Sequence, residues 1–230
     1  MTISSEPTHW GVTIGEFSFA VMFMAEAAVH VRRYKGGVVP EGGCSTQYTD
    51  VVADLRSKLE PPQGESFMLC IAETEVAVQI KPTTTLYTLC QEVRDQLQLA
   101  YKEKKLLLFA EFQERWKTSK ETAELFASVP IERRCGFLPS NQMVYKWRTE
   151  FPWGKLETVH TLGSYWSPFF CNQVLLYQCV NGKMCYSVTH CVGENNTRDT
   201  GNVFQLFVKV MENVNKIGKG STLTNFVGGF

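Results

Sequence analysis

The sequence predicts an α+β protein with mixed sheets and packed helices, ending in a β-hairpin followed by a helix. Three observations carry this. A long, strongly apolar stretch near the N-terminus has room for a helix; Asn181-Gly182 separates two runs of strand-forming residues; and helical periodicity alternates with short strand-like runs between them. The composition permits such a fold. The chain has 230 residues, 44% hydrophobic and 20% charged, enough to bury a core without metal or disulfide support. Lys plus Arg number 23 and Asp plus Glu also 23, so no basic excess points to nucleic acid.

In chain order, 9–17 reads as a short strand and 17–34 as an apolar helix ending in Arg32, Arg33 and Tyr34 before Gly36-Gly37. The apolar stretch 17–31 is interrupted by Glu26 and His30 and is shorter than a bilayer requires. Residues 36–43 form a Gly/Pro loop. Tyr48, Val51, Val52, Leu55 and Leu59 fall at helical spacing, which predicts a helix over 46–59 that stops at Pro61-Pro62. Residues 61–65 read as a linker.

Beyond the linker, 66–72 and 75–80 read as a hairpin around Glu73-Thr74. A helix follows over 83–99, capped by Thr83 or Thr84, with Leu86, Leu89, Cys90, Val93 and Leu97 on one face. A strand at 105–112, a short helix at 118–129 and a half-buried strand at 142–149 complete the middle. Val174–Val180 and Lys183–Val188 then flank Asn181-Gly182, the pair best suited to a type I′ turn. That turn sets Cys179 opposite Met184, Tyr177 opposite Tyr186 and Leu175 opposite Val188, an apolar face that must meet a core. Cys179 and Cys185 consequently point to opposite faces. Asn202 is expected to cap a helix with Val203, Phe207, Val210, Met211 and Val214 inward. Residues 216–230 read as a loose tail.

These elements suggest four parts: an N-terminal helical portion (1–60), a middle segment (66–150), a hairpin-plus-helix segment (151–217) and a flexible tail (218–230). In the middle part, Glu75-Val-Ala-Val-Gln-Ile-Lys-Pro-Thr-Thr-Thr-Leu-Tyr-Thr-Leu-Cys-Gln-Glu-Val, Leu106-Leu-Leu-Phe-Ala-Glu-Phe and Trp116 follow one another in a familiar order. That order resembles the ubiquitin-like β-grasp fold in its Ras-association or FERM first-lobe versions. The resemblance implies a binding module that docks a partner protein through a strand edge or basic patch. Glu73 and Glu75 are acidic where a GTPase-binding strand would be basic. The last third vaguely resembles a pleckstrin-homology-like domain.

Eight cysteines and four histidines offer nucleophile–base pairs. Cys44 follows Gly42-Gly43 ahead of the expected helix, and a helix N-terminus lowers a thiol's pKa. His160 or His9 supplies a base, and His9-Trp10-Gly11-Val12 resembles the histidine strand of LRAT/NlpC-type thiol hydrolases. The late cysteines 171, 179, 185 and 191 lack Cys-x-x-Cys spacing, so no metal site is expected, and no cofactor. No Gly-x-Gly-x-x-Gly, phosphate-loop or Gly-x-Ser-x-Gly motif is present. Trp147, Arg148, Trp153, Tyr165 and Trp166 make an aromatic and basic segment suited to binding. The sequence therefore favours a cytoplasmic, non-catalytic interaction or regulatory module of viral or adaptor type that binds another protein. A papain-like or LRAT-like cysteine hydrolase is the alternative. The start of the chain carries no secretory signal.

Overall fold

The computed structural model describes residues 10–44, 47–54, 71–103, 137–144, 148–158, 173–189 and 194–229. Its elements are α1 (Ile14–Tyr34), β1 (Gln47–Asp54), β2 (Ile71–Val78), α2 (Leu86–Lys102), β3 (Phe137–Val144), β4 (Glu150–Phe151), β5 (Gly154–Lys155), β6 (Gln173–Val180), β7 (Lys183–Thr189), α3 (Glu194–Glu212) and α4 (Leu223–Gly228). The α+β class with mixed sheets is what the structure shows. β1 pairs antiparallel with β2, while β3 runs parallel to β6 and β6 antiparallel to β7.

Helix α1 is the axis of the molecule. Thirteen of its 21 residues are buried, on every side of the helix. A helix that is apolar all round must be surrounded, and α2, α3 and α4 all pack on it. By length and composition α1 could cross a membrane, contrary to the expectation from 17–31 alone; here most of it is covered by protein. Ser18, its one fully buried polar side chain, donates to the Ile14 carbonyl at 2.7 Å and so enters the core satisfied.

The strand expected over 9–17 does not form, because Thr13 starts the helix. Thr13 Oγ1 accepts from the Glu16 N–H at 3.2 Å, and Glu16 Oε2 accepts from the Thr13 N–H at 2.7 Å. This reciprocal capping satisfies two amides that a helix start otherwise leaves open. Arg94 of α2 then grips Glu16 with two nitrogens, at 3.1 and 2.7 Å, and also donates to the Gly11 carbonyl. One carboxylate thus caps α1 and ties it to α2.

The segment expected as a helix over 46–59 contains β1. Its register runs from Gln47 opposite Val78 to Asp54 opposite Ile71, so β2 passes straight through Glu73-Thr74 where a turn was expected. The outer edge of β2 is met by a side chain of α2. The Gln96 carboxamide accepts from the Ala77 N–H at 3.0 Å and donates to the Ala77 carbonyl at 2.7 Å. Val76, Val78 and Ile80 are buried, and α2 presses Leu86, Leu89, Cys90 and Val93 into the same core. Its cap is Thr85, a residue or two beyond the expected one, accepting from Thr88 N–H at 3.1 Å.

The hairpin of β6 and β7 has the expected register, with Cys179 opposite Met184, Tyr177 opposite Tyr186 and Leu175 opposite Val188. Asn181 and Gly182 have φ of 50° and 74°, the left-handed pair that a type I′ turn needs. Tyr186 meets Phe207 of α3 edge-on, at 5.5 Å between ring centres. Cys185 lies opposite Gln178, not Cys179, and both cysteines are free.

Helix α3 begins at Glu194, so Asn202 lies inside it and caps nothing. The face expected to point inward does so: Val203, Phe207, Val210 and Met211 are buried, as is Val214 beyond the helix. Within 216–230, expected as a loose tail, α4 buries Leu223 and Phe226. Arg32 of α1 donates to the Phe226 and Val227 carbonyls at 2.7 and 2.8 Å, tying the end of α1 to the last turn of α4. Buried residues of α1, β2, α2, α3 and α4 form one cluster, which crosses the bounds of the four expected parts. The linker 61–65, the strand 105–112, the helix 118–129 and residues 145–147 of the strand expected over 142–149 lie outside the described residues.

The Glu16–Arg94 pair fixes a pH dependence. Burial opposes ionisation of Glu16, but the Arg94 hydrogen bonds and charge, with the Thr13 amide, outweigh it and hold the carboxyl below its ordinary 4.5. The pair's contribution is complete above the unfolded value and is lost as pH falls through the lower folded one. Arg94→Leu should cost about 2 kcal/mol at pH 7. It should also flatten the loss of stability below about pH 4.5 in urea titrations. An unchanged acid limb would show that the pair does not set it.

Candidate functional site

The loop after α1 returns the chain to the end of β2. Cys44 N–H donates to the Ile80 carbonyl at 2.8 Å, and Gly43 passes so close that no side chain fits. A Cβ on Gly43 would lie 2.4 Å from the Ile80 oxygen, and its φ of 82° already favours glycine. This tight closure leaves a cavity of about 280 Å³ lined by His30, Val31, Lys35, Pro40, Gly43 and Cys44.

The sequence selected Cys44 and offered His160 or His9 as its base. His9 and His160 lie outside the described residues. The imidazole that shares the cavity is His30, hidden from sequence reasoning inside the apolar pattern of α1. Burial, then the charge of Lys35, lowers the His30 pKa, with Asp199 opposing. Its ring is therefore neutral near pH 7 and can accept a hydrogen bond or a proton. Cys44 is buried, and burial raises its thiol above the ordinary 9.0. It opens no helix, since β1 follows where a helix was expected, so no helix dipole favours a thiolate. The pair is an uncharged, hydrogen-bonding rim, the reverse of an activated thiolate–imidazolium couple. Cys90 is further from reactivity. Burial and the Glu16 charge push it up to about 12.

Of the aromatic and basic group, Trp153 falls in the β4–β5 turn and Arg148 just before β4; Trp147, Tyr165 and Trp166 lie outside the described residues. Trp153 is 80% exposed and stacks on Phe151 with ring centres 4.8 Å apart. The Arg148 guanidinium lies over the Phe151 ring, 5.4 Å from its centre. No group of three or more His, Cys, Asp or Glu residues that could hold a metal occurs among the described residues.

No family model matches the chain, and no curated protein matches it. Solved structures do. The chain is similar to polyketide synthase associated protein 5 from Mycobacterium tuberculosis, with a TM-score of 0.57 and 13% identity over 92% of this chain and 48% of that one. It is similar to trichothecene 15-O-acetyltransferase from Fusarium sporotrichioides, with a TM-score of 0.62 and 10% identity over 87% of this chain and 42% of that one. It is also similar to the starter condensation domain of rhizomide synthetase, with a TM-score of 0.50 and 12% identity over 93% and 45%. The chain thus spans less than half the length of each of these three structures.

These likenesses correct three expectations. The middle segment is not a ubiquitin-like β-grasp domain, since most of the chain, this segment included, follows the fold of a solved O-acetyltransferase and of a condensation domain. The non-catalytic regulatory or adaptor reading falls with that resemblance. The cysteine-hydrolase reading falls too, on the same fold likeness and on the raised pKa of Cys44.

Site-resolved alkylation followed by mass spectrometry checks the thiol directly. Cys44 should react at pH 7 at least about tenfold more slowly than free cysteine, with the rate climbing only above about pH 9. Faster labelling than free cysteine at pH 7 would mean an activated thiolate.

Proposed function

We propose that this chain serves acyl transfer, as one half of an acyltransferase-type fold whose reaction takes place where that half meets a second of comparable length. The observation that carries the reading is one of extent. Nearly all of this chain superimposes on an O-acetyltransferase and on a condensation domain, yet it accounts for under half of either. The described residues agree with a contributing half. They bring together one cavity with a neutral imidazole and a protonated thiol, and no set that couples a nucleophile to a base.

Acyl transfer to a hydroxyl or amine needs a proton acceptor for the attacking group and donors toward the developing oxyanion. In this reading the acceptor substrate is attacked directly by its own oxygen or nitrogen, and Cys44 carries no acyl group. The test uses the complete polypeptide carrying this chain, incubated with activated acyl donors of increasing length and a panel of alcohols and amines. Acylated acceptor should appear by mass spectrometry, with no acyl adduct on Cys44 in the digested protein. Absence of product across the panel, or turnover through an acylated Cys44, contradicts the proposal.

A further inference from the structure

The segment 218–229 is fastened to three helices at once. Its Ser221 and Lys219 carbonyls accept from the Leu86 and Tyr87 N–H groups at 2.7 and 3.2 Å. Those amides open α2, and the first amides of a helix have no acceptor within it. Here a distant part of the chain supplies the acceptors. Thr222 forms a β-bridge with Thr85, the α2 cap, and the Lys219 ammonium lies over the Tyr87 ring, 4.6 Å from its centre. At the other end, Arg32 of α1 donates to the Phe226 and Val227 carbonyls, and Lys209 of α3 to that of Gly229.

These attachments differ in kind from those of the core. Leu223 and Phe226 are the buried residues of α4, against thirteen on α1. The bonds from Arg32 to Val227 and from Lys209 to Gly229 are exposed, where water competes for donor and acceptor. With six residues, α4 is too short to persist as a helix away from its neighbours. Gly218 and Gly220 stand at the start of the segment, where backbone torsions can change at least steric cost. Few apolar anchors and many exposed hydrogen bonds mark a unit of low local stability. A cavity of about 470 Å³ lies beside it, between α1 and α3. Gly229 is part of its lining, as are Arg32 and Lys209, the two cations that fasten the segment.

We propose that residues 218–229 form a strap that opens and closes as one unit on an otherwise folded chain, baring the start of α2 at one end and the cavity between α1 and α3 at the other. Lifting α4 removes Leu223 and Phe226 from the core and draws the Ser221 and Lys219 carbonyls away from α2. The amides of Leu86 and Tyr87 therefore report an event whose other end lies at Arg32 and Lys209. This inference does not rest on the acyl-transfer reading, because it concerns the fastening of the strap and no reacting group.

Native-state hydrogen exchange of the full chain in low urea, read by NMR, tests it. The amides of Asn225, Phe226 and Gly229 are bonded within the strap, and those of Leu86 and Tyr87 to it. All five should share one opening free energy and exchange at least about tenfold faster than Leu89 and Val93, which are buried on the inner face of α2. Arg32→Gln, at an exposed position, removes a fastening at the far end from α2. It should speed all five amides by a common factor of at least about fivefold. Acceleration of the α4 amides with Leu86 and Tyr87 unchanged would show that the two ends open separately, and would overturn the proposal. Exchange of all five as slowly as Leu89 and Val93 would also overturn it, since the segment would then leave only when the whole chain unfolds.

Discussion

A helix that is apolar on every side cannot rest on the surface of anything, and most of this structure follows from that constraint on α1. Phe17, Val21, Met24, Ala28 and Val31 would each leave apolar surface in water if one neighbour were missing. The helix is therefore enclosed by α2, α3 and α4. Ala20, Ala25, Ala27 and Ala28 keep parts of the helix narrow, so neighbours can approach closely. Polar residues act at its ends. Glu16 holds the start of α1 to α2 through Arg94, and Arg32 holds its end to α4. Sequence thus separates two roles along one helix: an apolar shaft for cohesion and charged ends for orientation.

The same separation places both cavities. They open near the C-terminal end of α1, where the chain turns away through Gly36 and Gly37 and close packing gives way to loop and rim. One is closed by the tight approach of Gly43 to β2 and holds an uncharged pair, His30 and Cys44. The other lies between α1 and α3, beside the end of α4. The cavity at Cys44 does not resemble a thiol protease site, because the burial that builds the core also raises the cysteine pKa.

Local signals were legible in the sequence and distant ones were not. Asn181-Gly182 fixes its own turn, so the β6–β7 register could be read residue by residue. The inward faces of α2 and α3 followed from helical periodicity. The segment around Tyr48, Val51 and Val52 also had helical spacing, but its β-branched residues took a partner strand that begins at Ile71, a pairing that no local pattern announces. Thr13 and Glu16 did carry a visible capping signal, three residues apart, which the glycines at 11 and 15 obscured. The short helix near the C-terminus was hidden because Leu223 and Phe226 are its only fully buried positions. The site was less legible still. Cys44 stood out in its glycine loop, but His30 became its neighbour only through the return of that loop to Ile80.

The dependence of the structure on α1 is most directly tested by native-state amide hydrogen exchange. If α1 is the shaft around which the rest assembles, its amides between Ala20 and Val29 exchange only through global unfolding. They are then the slowest in the chain, while the exposed β4–β5 hairpin exchanges by local opening. Exchange of the central α1 amides as fast as those of the hairpin would contradict the account.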